Sequence, residues 1–404
     1  MSRTLPRLLS LLVAMVLLAA CGGGAAEPPA ATDPAAMPGC PPTSGALALA
    51  VGGHANGPAP ALPPDVEGML AAAVAVPAGQ PGPPISLIEI DGRPMAVVSG
   101  QVFRSDAGND DALAADRAQF SADVADAVAR TTATTAEVDD LAGLDMAARA
   151  VHATGPTGTV VLIDPGLSTV APLDFRRPGL LAADPADVVA FLHAHHALPD
   201  LHGLVVRGYG IGDTAPPQPP LPLAQQAQLR ALWSAVLTAS GAACVTISSW
   251  PHNGAAGSGL PPVGLVPLPS PPVIDLGSGV PTVLADDSAV GFLPGRDVLR
   301  DPQGAADLLT PVATWLAGDP ARTVTLTGTT ARWGDDAGQL DLSLRRARAV
   351  ASVLVSLGAP ADRIHTTGLG SHFPGYRPDN GPAGPLLPEP AAHNRSVILT
   401  PSGS

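Results

Sequence analysis

Three arginines crowd one short segment, LSLRRARAV (residues 342–350): Arg345, Arg346 and Arg348. Apolar residues at Ala347, Val350, Leu354 and Leu357 form one stripe, which predicts a helix over 343–357 and turns Arg345 and Arg348 toward solvent. Ser343 is placed to cap that helix, and its third successor is Arg346, where a capping box would carry Glu. A cation in the first turn faces the positive end of the helix dipole and costs roughly a few tenths of a kcal/mol. A guanidinium is a planar, two-pronged donor. On these grounds alone the plain reading is a solvated arginine face, and the unfavourable placing of Arg346 is left to be explained.

Other constellations carry less chemistry. His193 and His196, in HAHH (193–196), lie on adjacent turns of one helix and with His202 could suggest a metal. No cysteine is near them in sequence, so an exposed helix end is the better reading. GYGIGD (208–213) runs into TAPPQPP and cannot open a helix as a dinucleotide loop must. Ser258, between two glycines, has no strand before it and is not a nucleophile elbow. With no triad, paired acids or metal set, the chain reads as a non-enzyme with no metal and no cofactor.

The elements that must position Arg346 fall into two parts. Over residues 45–250, apolar runs of strand length at 46–51, 85–90, 95–100, 159–164, 203–208 and 244–247 alternate with helical segments near 111–129, 138–153, 186–197 and 222–239. This predicts an α/β domain, a doubly wound, mostly parallel sheet covered on both faces. The 85–100 pair, joined by DGRP, is a hairpin that adds one antiparallel edge strand. A Pro/Gly-rich stretch at 251–280 marks the boundary. Residues 281–404 read as strands near 283–290, 323–328, 363–368 and 396–399 with helices at 303–317 and 343–357, an α+β sandwich in βαβαββ order.

The order of strand, hairpin, two helices and then VVLIDPGLST resembles a von Willebrand factor A-like domain over about 200 residues. That family builds a metal site from a D-x-S-x-S loop after the first strand and an Asp after the fourth. Here the first loop is GGHANGPAP (52–60), without the acid or the hydroxyls, and only Asp164 matches. One carboxylate does not make a divalent site. The resemblance implies a Rossmann-like fold without its metal.

In the last 120 residues, Gly328 to Gly334, then LSLRRARAV, LGAPADRIHTTGLGSHFP and NRSV follow the order and spacing of the OmpA-like peptidoglycan-binding family. Its pattern is G-H-T-D-x-x-G, seven residues, L-S-x-x-R-A, G-x-G-x-x-P and N-R-R-V. The resemblance implies that Arg346 grips a carboxylate of diaminopimelate in the peptide stem, with Asn394 and Arg395 keeping the final motif. Three positions depart. The family Asp that receives the ammonium of diaminopimelate falls on Ala331, and its His on Thr329. The second arginine of the final motif is Ser396. Asp335 and Asp336 could replace the lost acid only if their loop bends back. The insert 375–393 falls where loop length varies in this family.

Composition sets the compartment and the excluded partners. The 404 residues are 46% hydrophobic and 14% charged, a globular balance, and all 21 basic residues are arginine. The formal charge of −14 becomes −16 without Arg3 and Arg7 of residues 1–20, which argues against nucleic acid as a partner. MSRTLPRLLSLLVAMVLLAAC has a basic start and an apolar run too short to span a bilayer, a signal segment. Leu18, Ala19, Ala20 and Cys21 resemble the lipobox of bacterial lipoproteins, which implies a diacylated Cys21 (palmitate among the expected chains) followed by a flexible linker over 21–44. Cys40 and Cys244 have two readings: a disulfide, which six extended residues before the first strand can reach, or a buried thiol at Cys244.

Together these readings predict an extracytoplasmic protein, lipid-anchored to the membrane, that tethers to peptidoglycan, weakened by Ala331, while its first domain meets an unknown envelope protein. The alternative is an interaction module whose OmpA-like domain has lost diaminopimelate binding.

Overall fold

The computed structural model describes residues 39–403 other than 42, 249, 269 and 383. The expected signal segment, Cys21 and most of the linker lie outside the described residues. From Cys40 onward the chain forms one compact unit with two sheets.

The first sheet holds β1 (Ala46–Gly52), β2 (Pro84–Ile90), β3 (Met95–Val102), β4 (Gly158–Ile163), β5 (Val205–Tyr209) and β6 (Cys244–Ile247), in the order β3-β2-β1-β4-β5-β6. All neighbours are parallel except β2 and β3. Every residue of β1 and β4 is buried, as continuous apolar runs require when helices cover both faces. The helices are α1 (Pro64–Ala73), α2 (Asp110–Ala129), α3 (Asp140–His152), α4 (Pro185–Ala194) and α5 (Leu223–Ala239). Successive side chains of a strand point to opposite faces. Ala46, Ala48 and Ala50 thus share a core with α3, α4 and α5, while Leu47, Leu49 and Val51 pack with α1 and α2. Local chemistry starts the helices: Asn109, Asp139 and Asp184 accept backbone N–H groups at α2, α3 and α4. Helix α1 has no side-chain cap and starts on Pro64, with Asp65 and Glu67 in its first turn at the positive end of the dipole.

A disulfide joins Cys40 to Cys244 at the start of β6, with the Cα atoms 5.7 Å apart. It ties the chain ahead of β1 to a strand three places away in the sheet.

The second sheet is four-stranded, β7-β10-β8-β9, from β7 (Thr282–Leu284), β8 (Thr323–Gly328), β9 (Ile364–Gly368) and β10 (Val397–Ser402). Strands β8 and β9 are parallel, and β10 runs antiparallel to both β7 and β8. Helices α6 (Pro302–Gly318) and α7 (Asp336–Ser356) bury Leu309, Val312, Leu316, Ala347, Val350 and Leu354 against Val324, Leu326, Val397 and Leu399. Strand β7 is shorter than the expected 283–290, because the Asp286 carboxylate accepts the Phe292 N–H and the Ser288 hydroxyl bonds back to Ala285 O, turning the chain out of the sheet.

Two expectations need correction. Helix α7 begins seven residues before Ser343: Asp335 caps it, accepting the Gly338 N–H at 2.7 Å, and Asp336 follows in the first turn. Acids therefore occupy the dipole's positive end, and Arg346 lies well inside the helix, where the first-turn cost does not apply. Ser343 is buried mid-helix, where its hydroxyl donates to Leu340 O and accepts the Gly370 N–H. A Cβ on Gly328 would meet Ser343 O at 1.8 Å, and one on Gly368 would meet Leu340 O at 2.6 Å. These glycines let α7 lie directly on β8 and β9. The insert 375–393, read as loop, contains most of α8 (Pro388–Asn394), which closes back onto α4 and onto the turn at Leu180–Ala182.

Candidate ligand-binding site

Arg346 projects from the buried face of α7, while Arg345 next to it is partly exposed and pairs with Asp341 and Asp297. Only 2% of Arg346 is exposed. Its guanidinium lies 5.1 Å from the centroid of the Phe292 ring, and its Nε donates to Arg296 O at 3.0 Å. Among the described residues its Nη1 has no hydrogen-bond partner. Burial pushes the guanidinium pKa down to about 10, opposed first by the Asp286 carboxylate, so it stays charged at neutral pH.

Arg395 follows α8 and comes close enough for its charge to oppose that of Arg346. Its Nη2 meets Asp187 Oδ2 of α4 at 2.5 Å. Burial works against the charge on Arg395, and Asp187 outweighs it, raising the pKa. Arg300 completes the cluster, pairing with Asp286 at 3.3 Å and donating to Ala182 O. Three cations thus share one poorly solvated region with Asp184, Asp187 and Asp286. Such a set favours anionic oxygens, because guanidinium forks satisfy a carboxylate with two parallel bonds.

Asn394 is fully buried and holds the insert: Nδ2 donates to Arg377 O and Asp379 Oδ2, while Oδ1 accepts the Arg377 N–H. Thr329, at the family His position, donates its hydroxyl to Asn394 O at 2.8 Å. Ala331 is 3% exposed, clustered with Leu386 and Ala391. At the next residue the Arg332 N–H donates to Asp379, which also accepts the Asn394 amide and the Tyr376 hydroxyl. Asp335 and Asp336, weighed as replacements for the lost acid, are instead exposed at the start of α7. Asp379 escaped notice because it sits in a variable insert, and Asp187 because no local pattern links α4 to residue 395.

The first sheet has its own polar cluster. Strand order reverses between β1 and β4, the place where open α/β sheets take ligands beyond the carboxyl ends of their strands. There His54 Nε2 contacts Asp164 Oδ2 at 2.8 Å with both side chains buried, and Asp164 Oδ1 accepts the Gly166 N–H. Ser168 donates to Asp140 Oδ2 at 2.6 Å. Burial, then the neighbouring Asp164 carboxylate, hold the Asp140 pKa well above the usual range. A Cβ on Gly52 would meet Asp164 Oδ2 at 1.7 Å, so this end of the sheet is filled by its own side chains. Among the described residues no group of three His, Cys, Asp or Glu is placed to hold a metal. His193, His196 and His202 are exposed, and Ser258 lies in a loop.

The chain carries an OmpA family domain, matched over residues 291–382. Its relatives include the peptidoglycan-binding protein ArfA of Mycobacterium tuberculosis and of Mycobacterium bovis, each 33% identical over 156 residues, covering 38% of this chain and 44% of theirs. The chain thus spans less than half the length of these curated relatives. Solved structures with similarity include the peptidoglycan-associated lipoprotein of Burkholderia pseudomallei, 26% identical, covering 25% of this chain and 79% of that one, with a TM-score of 0.22. The OmpA-like domain of FopA1 from Francisella tularensis is 18% identical, covering 32% and 78%, with a TM-score of 0.23.

Proposed function

We propose that the protein is a lipid-anchored component of the cell envelope that associates with peptidoglycan through its OmpA-like part, by binding and not by catalysis. The burial of Arg346, with the 12% exposed side chain of Arg395 near enough to oppose its charge, carries this reading. It is supported by the peptidoglycan-binding relatives. In it, Arg346 takes a carboxylate of the stem diaminopimelate, and Asn394 and Arg395 frame the seat. Cys21 supplies the anchor, and the linker over 21–44 lifts the folded part from the lipid. Residues 45–250 form a von Willebrand factor A-like domain in which the His54 imidazole meets the acid that would otherwise face a metal. That domain presents a surface to another envelope protein, and 251–280 join it to an OmpA-like domain at 281–404.

The test is co-sedimentation of the chain from residue 22 with purified peptidoglycan. Wild-type protein is expected in the pellet, and Arg346→Ala with Arg395→Ala in the supernatant. In cells, Cys21→Ser is expected to release the protein from membranes. Its recovery in the membrane fraction after a high-salt wash would reveal another anchor.

A second reading is favoured by Ala331, which is covered by Leu386 and Ala391, and by Asp379, whose three contacts are all internal. It makes the OmpA-like part an interaction module that no longer takes diaminopimelate. A wild-type protein that never pellets with peptidoglycan supports it.

A further inference from the structure

The seat of Arg346 and Arg395 is closed by the other half of the same chain. Asp187 lies in the first turn of α4, 208 positions from Arg395, yet the two side chains meet at 2.5 Å and are each 12% exposed. Asp184, the cap of the same helix, favours the charge on Arg346. Three further ties run along this seam. Arg177 meets Glu389 at 3.3 Å, Arg300 donates to Ala182 O at 3.3 Å, and Ala392 of α8 is buried in the core of the first sheet.

The closure is incomplete in two respects. Nη1 of Arg346 and Nη1 of Arg395 are buried without a partner among the described residues, so α4 satisfies only part of the donor capacity of the seat. A cleft of about 510 Å³ also interrupts the seam, lined by Leu181 and Gln228 from one side and Asp287, Arg300 and Leu308 from the other. An occupant that leaves buried donors unpaired can be displaced by one that pairs them.

We infer that Asp187 occupies, in the resting protein, the place that a carboxylate of the wall peptide takes in the bound one, so that α4 must release Arg395 before the wall is engaged. This rests on the peptidoglycan reading above. The first domain is then a competitive occupant of the site as well as a neighbour of it. A site competent in only a fraction of molecules binds weaker by that fraction.

The experiment compares the full chain from residue 22 with its Asp187→Asn and Glu389→Gln variants. Two readouts are taken: calorimetry with a diaminopimelate-containing muropeptide and amide exchange across 388–394. Asp187→Asn is expected to tighten muropeptide binding about tenfold and to speed exchange in α8, with a smaller effect of the same sign from Glu389→Gln. Adding Arg395→Ala to Asp187→Asn is expected to remove the gain. Equal affinity of wild type and both variants overturns the inference and leaves peptidoglycan binding standing. Unchanged exchange in both variants overturns it as well. Faster exchange with no muropeptide binding by any protein overturns the peptidoglycan reading and the inference with it. Glu389→Gln keeps the test decisive if Asp187→Asn fails to fold.

Discussion

The Arg346 guanidinium lies over the Phe292 ring, 5.1 Å from its centroid, with one donor bonded to Arg296 O and Nη1 without a partner among the described residues. A buried cation held this way is a poor stabiliser, since desolvation offsets most of its attractions. Arg346→Met is therefore expected to change unfolding free energy by no more than about 1 kcal/mol in either direction, while abolishing pelleting with peptidoglycan. Urea unfolding and sedimentation on the same preparation check both halves. A loss of stability above about 3 kcal/mol would assign the arginine to the core instead.

Restoring the family acid at residue 331 meets a filled site. Ala331 packs with Leu386 and Ala391, and Asp379 already accepts the Arg332 N–H beside it. Ala331→Asp is expected to cost about 1–3 kcal/mol, the usual range for burying a polar group without a partner. It should lower Tm without strengthening muropeptide binding. Tighter binding by this variant would show that the insert moves aside.

Asp140 makes stability depend on pH. Its carboxyl is fully buried, with its pKa raised well above 3.8 by burial and then by Asp164. Between the unfolded and folded pKa values the unfolded chain binds fewer protons, so the contribution of Asp140 declines as pH rises through that window and then levels off. Asp140→Asn is expected to flatten the decline. Denaturant midpoints from pH 4 upward for both proteins measure it, and identical slopes would refute the assignment.

The disulfide closes a loop with a sequence separation of 204. Removing it with Cys40→Ser and Cys244→Ser is expected to cost on the order of 2–5 kcal/mol, chiefly by freeing the unfolded chain. The shift should match that of reduced wild-type protein, read from denaturation midpoints.

The sequence by itself determined the periodic elements. Apolar runs marked β1 and β4 because parallel strands inside a covered sheet are buried on both faces, and the stripe at Ala347, Val350 and Leu354 marked α7 because one helix face meets a sheet. Resemblance to the OmpA-like pattern singled out Arg346, Asn394 and Arg395 as candidates. The local pattern misjudged where α7 starts, since a serine in a cap-like context reads the same whether it begins a helix or ties one to the turn after a strand, as Ser343 does with Gly370. What occupies the seat was decided only by tertiary structure. Burial of Ala331 depends on an insert folding into α8, and the partner of Arg395 comes from a helix 208 positions away. Electrostatic pairing acts through space, and no periodicity along the chain records which acid a folded backbone will bring to an arginine.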